Sequence, residues 1–202
     1  MKKTLFSLLA AGAMVLMVSC GGSGKSYPEH EIFGKVLAAQ LEYHDQDSTL
    51  KADRTDDNWK DIKEKRKENT DKLYQAVEQE KAALIGRDIP FEVDPEAGFE
   101  VTSCKISDLN KLGNIEVKVQ IKITDPAKAH LFGFSKNEMY FDFKFVDTEG
   151  NLIHDKMTLS VKLDQDATPG AVGETTLSLN NHAKTANKYY KFGKIVFYTE
   201  KY

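Results

Sequence analysis

The sequence predicts an α+β protein in which a helical hairpin precedes an antiparallel β-sandwich of about seven strands. Three observations support this prediction. Apolar residues recur at steps of three and four up to about residue 85, as on one face of a helix. From Ile89 onwards apolar and polar residues alternate, which is the pattern of strands with one buried face. Clusters of Gly, Pro, Asn and Asp separate the alternating segments and indicate turns.

The first twenty residues are typical of an export signal. Two basic residues, Lys2 and Lys3, precede an apolar stretch from Leu5 to Val18. This stretch is shorter than the about 20 apolar residues that cross a bilayer, but it suits the core of a signal peptide. It ends in Met17-Val18-Ser19-Cys20, which resembles the lipobox of bacterial lipoproteins, although Met17 stands where that family usually has Leu.

The lipobox resemblance implies that residues 1–19 are removed as a lipoprotein signal peptide and that Cys20 is lipidated. Two acyl chains, such as palmitate, anchor a protein stably in a membrane. Residues 20–28, rich in Gly and Ser, then form a flexible tether. Because no acidic cluster follows Cys20, we expect an anchor in the outer membrane of a Gram-negative bacterium, facing the periplasm. The alternative is ordinary signal cleavage near residue 20, which leaves a soluble protein.

Residues 29–87 predict the helical hairpin. The first helix covers Glu29 to His44 and the second about Asp56 to Ile85. Gly86 can end the second helix in the left-handed conformation that helix termini favour. Acidic and basic residues interleave along the second helix, which predicts a solvated face and not a nucleic-acid site. The net charge of -3, from 28 Lys and Arg against 31 Asp and Glu, also argues against a nucleic-acid partner.

The link between the helices, residues 45–55, has the spacing of a calcium-binding EF-hand loop. Oxygen-bearing side chains stand at positions 1, 3, 5, 9 and 12 of that loop, as Asp45, Asp47, Thr49, Asp53 and Asp56. Position 6 is Leu50, however, where the sharp turn requires Gly, and Asp at position 12 is shorter than the usual Glu. We therefore predict turn hydrogen bonds, a helix cap at Asp53 or Thr55, and no metal site.

Residues 88–202 predict the sandwich. The clearest strand has Ile115, Val117, Val119, Ile121 and Ile123 facing the core and polar residues between them. Seven short alternating strands in about 100 residues are the pattern of an immunoglobulin-like sandwich. The predicted strands are Ile89–Val93, Phe99–Ile106, Asn114–Thr124, Met139–Phe145, Met157–Leu163, Glu174–Leu179 and Lys194–Thr199.

Turn motifs in this half support a family resemblance. The segment Phe145-Val146-Asp147-Thr148-Glu149-Gly150-Asn151 is followed by Pro169-Gly170 and by Glu174-Thr175-Thr176. This order resembles the immunoglobulin-like modules of small bacterial envelope lipoproteins. The resemblance covers about 60 residues of the chain, and its motifs are common turn chemistry. It implies a fold and an envelope setting, and it brings no catalytic residues with it.

The sequence contains no compact catalytic, metal-binding or cofactor-binding motif. None of the five His belongs to a His-Glu-x-x-His or His-x-His pair, and no Gly-x-Ser-x-Gly segment occurs. Apart from Cys20 the one other cysteine is Cys104, which lies in a predicted strand and is expected to be a buried structural residue. We therefore predict no catalytic residues, no cofactor and a protein that is not an enzyme.

Two aromatic segments could contact a ligand. Phe132 and Phe134 lie in the connection between two predicted strands, and Tyr189 and Tyr190 lie shortly before the last one. If these rings are exposed, they can stack on a sugar or grip a protein partner. If they are buried, they close one end of the sandwich, which is the interpretation that we favour.

The predicted function is a membrane-anchored lipoprotein that serves as a non-catalytic binding or structural module of the cell envelope. Its partner, apart from the membrane, would be an envelope protein or a glycan. The alternative is an envelope hydrolase whose site is assembled from distant carboxylates. A shallow groove between the hairpin and the sandwich would favour the binding module, whereas a deep pocket with converging carboxylates would favour the enzyme.

Overall fold

The computed structural model describes residues 27–131, 134–179 and 189–199, and for residues 154 and 155 it describes the backbone alone. The signal peptide, Cys20 and Phe132 lie outside these residues, so what the sequence predicts for them stays a prediction. In the described part of the chain, no helix is both long and apolar enough to span a bilayer.

The protein is α+β, as predicted, with two helices followed by a mostly antiparallel sheet. Eight strands occur in the described ranges, and they include all seven predicted ones. The additional strand, β4, has two residues and is too short to show an alternating pattern. The elements are α1 (Val36–Ala52), α2 (Trp59–Leu84), β1 (Phe91–Val93), β2 (Phe99–Leu109), β3 (Ile115–Ile123), β4 (His130–Leu131), β5 (Glu138–Asp147), β6 (Leu152–Leu163), β7 (Val172–Leu179) and β8 (Phe192–Tyr198).

The strands form one nearly closed sheet. Hydrogen bonds join them in the order β1-β8-β5-β6-β7-β3-β2, with β4 added on β5. The two end strands, β1 and β2, also contact each other. Two register pairs join β6 to β7, Lys162 with Glu174 and Leu163 with Gly173. At Gly173 an added Cβ would lie 2.8 Å from Val161 Cγ2, so glycine permits the close approach at this junction.

The inward faces of the strands follow the predicted alternation. Ile115, Val117, Val119, Ile121 and Ile123 of β3 are all buried. The buried side chains of the sheet belong to the same apolar cluster as those of the helices, so helices and sheet share one core. Cys104 lies in this core, as predicted, and burial raises the pKa of its thiol to about 12.

The link between the helices differs from the prediction. Asp45 to Ala52 are the last turns of α1, so the predicted loop over 45–55 is wrong and no twelve-residue loop exists to wrap a calcium ion. Asp47 Oδ1 is 2.5 Å from Arg66 Nε of α2, and its Oδ2 is 2.7 Å from Lys51 Nζ. Burial alone would raise the pKa of Asp47, but these two hydrogen bonds hold it below its usual value. One ion pair within α1 and one with α2 thus stabilise the acidic segment as helix.

The ends of the second helix were partly predicted. Its N-cap is Asn58, and not Asp53 or Thr55. The Asn58 side chain instead orders the preceding turn, since its oxygen accepts from the Thr55 N–H and its nitrogen donates to the Asp53 carbonyl. At the other end Gly86 has a φ of 86°, which confirms the left-handed termination.

Polar contacts attach the helices to the β2–β3 end of the sheet. Gln40 Nε2 donates to the Leu112 carbonyl at 2.8 Å, and Lys81 Nζ donates to the Leu109 carbonyl at 3.0 Å. The Gly86 N–H donates to the Ile106 carbonyl at 2.8 Å. These bonds, together with the shared core, fix the helices against the sheet.

Candidate functional site

Of the four predicted aromatic contacts, Phe132 lies outside the described residues, and the other three have different environments. Phe134 is fully exposed in the connection between β4 and β5, so the buried position that the sequence analysis favours is wrong for this residue. Tyr189 is only 2% exposed and packs edge-on against Phe145, so it is a core residue and is not available to a ligand. Tyr190 is partly exposed, and its hydroxyl donates to the Pro28 carbonyl. The structure therefore does not gather these residues into one site.

A buried carboxylate marks a different site, which the sequence did not predict. In β5 the side chains of Phe141 and Phe143 enter the core, and Asp142 between them points to the outward face. Alternation predicts that Asp142 is exposed, yet only 5% of it is accessible. Burying a charge is costly unless it is paired, so the Asp142 carboxylate requires polar partners.

The neighbouring strands supply these partners. Asp142 lies opposite Thr158 of β6 and opposite Tyr198 of β8. The Thr158 hydroxyl donates to Asp142 Oδ1 at 2.5 Å, and Lys156 Nζ lies 3.6 Å from Oδ2. Both carboxylate oxygens therefore have a polar neighbour, and both neighbours come from the outward face of β6.

The carboxylate lies in a recess of about 230 Å³. His130 of β4 closes one side, with its ring centroid 5.2 Å from that of Tyr140 and an interplanar angle of 84°. Thr199 follows β8, and its hydroxyl donates to the Ala97 carbonyl at 3.1 Å. Thr158 is exposed, so the recess is open to solvent on that side. We name this feature the Asp142 recess, and its lining residues are His130, Tyr140, Asp142, Thr158 and Thr199.

A second depression lies between α2 and the β2–β3 end of the sheet. It encloses about 390 Å³ and is lined by residues that include Tyr74, Val77, Glu78 and Leu109. Lys81, at its edge, is 2.6 Å from Asp108, and the hydrogen bond to that carboxylate raises the pKa of Lys81. Both charged groups of this pair are partly solvent-accessible, so the helix–sheet groove holds no buried charge of the kind found in the Asp142 recess.

Each depression has fewer acidic residues, among its described lining residues, than the site of a glycoside hydrolase. Hydrolysis of a glycosidic bond uses two carboxyl groups on either side of the bond. Among the described lining residues, the Asp142 recess contains one carboxylate and the helix–sheet groove contains one, Glu78. No cluster of three His, Cys, Asp or Glu residues suited to a metal ion occurs in the described ranges. The Asp142 recess can thus offer hydrogen bonds and aromatic surface to a small group.

Comparison with known proteins gives no relative. No protein-family model matches this chain, and neither a curated protein nor a solved structure matches it. The function is therefore inferred from the residues of this chain alone. One sequence signal could have indicated the Asp142 recess. Asp is disfavoured in strands, and here it stands in the middle of a strand that otherwise consists largely of aromatic and apolar residues.

Proposed function

We propose that the chain is a lipid-anchored lipoprotein of the bacterial cell envelope that acts as a non-catalytic binding module. The Asp142 recess is its ligand site in this proposal. The observation that carries the proposal is a carboxylate with 5% exposure on an outward sheet face. A charge in this position costs stability, and a protein retains such a group where function requires it.

The start of the folded part supports a short tether. Cys20 and Tyr27 are seven residues apart in the sequence, so the chain between them spans at most about 25 Å. The Tyr27 hydroxyl donates to Asp45 Oδ2 at 2.6 Å, and the Pro28 carbonyl accepts from Tyr190. A lipid on Cys20 would consequently hold the surface around Tyr27 and Asp45 close to the membrane.

The fold that we propose for this module is a helical hairpin packed on an immunoglobulin-like sandwich. Contacts at both ends of α1 support the hairpin. The Lys35 N–H, just before α1, donates to Glu80 near the end of α2 at 3.4 Å. Asp47, near the end of α1, pairs with Arg66 in the first half of α2. β3 and β5 lie three strands apart in the sheet order, and their inward side chains belong to one core, as the facing layers of a sandwich require.

The hydrolase alternative has less support. The one carboxylate of the Asp142 recess is engaged by Thr158 and Lys156. Hydrolysis of a glycosidic bond uses a pair of carboxyl groups, and Asp142 has no second carboxylate beside it among the described lining residues.

The anchor is tested by metabolic labelling with an alkyne fatty acid in the bacterium that encodes the chain. We expect the wild type to be labelled and to remain in the membrane fraction, and Cys20→Ala to lose both properties. The matched control is Ser23→Ala, which changes the tether and leaves the cysteine in place. A wild type that enters the aqueous phase of a detergent partition would refute the anchor.

The binding role is tested by photocrosslinking in the same cells. A crosslinking amino acid replaces Phe134, which is exposed on the β4–β5 connection, or Trp59, which is exposed on α2. We expect an adduct from position 134 that is lost with Thr158→Val, and none that depends on Thr158 from position 59. Equal adducts at both positions, or none at 134, would contradict a ligand at the Asp142 recess. Accumulation of cleaved envelope material that requires Asp142 would favour the hydrolase.

A further inference from the structure

The carboxylate of the Asp142 recess has a cationic side chain beside it. The Asp142 carboxylate and the Lys156 ammonium, 3.6 Å apart, together carry no net charge. A cationic ligand at the carboxylate would be repelled by Lys156, and an anionic ligand at the ammonium would be repelled by Asp142. Lys144, the next outward residue of β5, lies over the ring of Tyr198 with its Nζ 5.5 Å from the centroid. The Asp142 carboxylate and the Lys144 ammonium thus already have partners within the protein, which favours an uncharged ligand over an ion.

The hydrogen-bonding groups of the Asp142 recess favour a ligand that donates hydrogen bonds. The Thr158 and Thr199 hydroxyls each donate within the protein, to Asp142 and to the Ala97 carbonyl. A hydroxyl has one proton and two lone pairs, so each of these oxygens can still accept a hydrogen bond. An uncharged ligand that carries several hydroxyl groups meets this requirement.

Size and aromatic surface restrict the ligand further. Sites for drug-sized molecules enclose about 300–1,000 Å³, and the Asp142 recess, with about 230 Å³, is smaller. Its rings, those of His130 and Tyr140, stand almost perpendicular to each other. Such rings give apolar surface against which the C–H face of a small ring can pack. One sugar ring combines this apolar face with hydroxyl donors at its edge.

We infer that the Asp142 recess binds one ring of a neutral saccharide. This inference rests on the proposed binding function and names the class of its ligand. Tyr140 supplies the stacking surface, Thr158 and Thr199 accept from sugar hydroxyls, and the Asp142–Lys156 pair holds Thr158 in place through the hydrogen bond to Asp142.

Saturation-transfer NMR with the full chain in detergent micelles tests this inference. The probes are glucose, galactose and N-acetylglucosamine, with choline and acetate, whose methyl protons are observable, as charged probes at the same concentrations. We expect transfer to at least one sugar and none to the ions. Tyr140→Ala and Thr158→Val should each weaken sugar binding by about tenfold, as the loss of a buried contact or hydrogen bond does. Thr176→Val, the same change on the exposed face of β7, should leave it unchanged.

Further variants separate loss of binding from loss of the fold. Tyr140→Phe keeps the ring and should retain sugar binding, and circular dichroism verifies that each variant is folded. Absence of transfer to all three sugars at millimolar concentration would overturn the saccharide inference. Transfer to choline or acetate that Thr158→Val abolishes would also overturn it, while the binding role of the recess would stand. If, in addition, no photocrosslink that depends on Thr158 forms at position 134, the proposed binding function is also overturned.

Discussion

The outward faces of β3 and β5 have similar sequence patterns and different environments. In β3 the outward residues Glu116, Lys118 and Lys122 are exposed. In β5 the outward residues Tyr140 and Asp142 are half-buried and buried. Alternation thus determines the direction in which a side chain points. Whether that side chain is exposed depends on the residues that cover it, and these come from other strands.

The covering residues of β5 come from three other strands, β4 just before it, β6 just after it and the distant β8. β4 brings His130 against Tyr140, β6 brings Thr158 to Asp142, and β8 brings Tyr198 alongside. The charges of β3 form surface pairs with its neighbours, Lys118 with Glu174 and Lys122 with Glu100, and all four side chains are about half exposed. Surface pairs of this kind contribute about 0–1 kcal/mol.

The largest expected effect tests whether the inward faces of β3 and β5 contribute equally to stability. Phe141 of β5 and Ile121 of β3 are both almost fully buried. Phe141→Ala should lower the free energy of unfolding by about 3–5 kcal/mol and Ile121→Ala by about 2–5 kcal/mol, through lost burial and the cavities that remain. Urea unfolding measures both. A loss below about 1 kcal/mol at either position would show that the register of that strand is misassigned.

A smaller effect distinguishes the outward faces directly. Lys156→Met leaves Asp142 buried with less compensation for its charge and should cost about 1–3 kcal/mol. Lys118→Met, the same change on β3, should cost less than about 0.5 kcal/mol because its partner remains hydrated. Adding Asp142→Asn to Lys156→Met should recover most of the loss. Equal costs for the two lysines would remove the contrast between β3 and β5.

The contrast between β3 and β5 also explains which parts of the fold the sequence predicts and which it does not. Alternation in β3 and β5 is governed by local burial, so these strands were predicted within two residues at each end, whereas β6 begins at Leu152, before the predicted start at Met157. Neither end of α1 was predicted: the helix begins at Val36 and not at Glu29, and Asp45 to Ala52 remain helical. Asp47 there pairs with Arg66 of α2, a contact that a local pattern does not contain. The Asp142 recess was missed for a related reason: its lining residues lie between positions 130 and 199, and only the fold brings them together.

The next prediction concerns the pH dependence of stability, through His30 in the N-terminal segment. His30 Nδ1 accepts from the N–H groups of Ile32 and Phe33, and its ring stacks on Phe33. Burial lowers the pKa of His30, although Glu31 and the backbone of Phe192 oppose this shift. The folded state thus favours neutral His30, while the unfolded state binds a proton below about pH 6.5.

This lowered pKa sets the direction of the pH dependence. The contribution of His30 to stability should be complete above about pH 6.5 and should decrease as the pH falls towards the folded-state pKa. We expect the stability difference between the wild type and His30→Ala, measured by urea unfolding, to be smaller at about pH 5 than at about pH 7.5. A difference that grows on acidification would reverse the assigned direction of the shift. The opposing influence of Glu31 should keep this effect below that of Lys156→Met.

The smallest expected effect concerns the salt dependence of the two ion pairs. Lys118 Nζ lies 2.7 Å from Glu174 Oε1 with both side chains about half exposed, whereas Asp142 beside Lys156 is buried. A double-mutant cycle with Lys118→Met and Glu174→Gln should give a coupling of about 0.2–1 kcal/mol at low salt. At about 1 M salt, where the screening length is about 3 Å, this coupling should approach zero. The cycle with Lys156→Met and Asp142→Asn should keep most of its coupling at the same salt concentration, because the buried carboxylate is screened much less. Equal salt sensitivity in the two cycles would mean that solvent ions reach Asp142 as readily as Glu174, and the Asp142 recess would then be an ordinary exposed face.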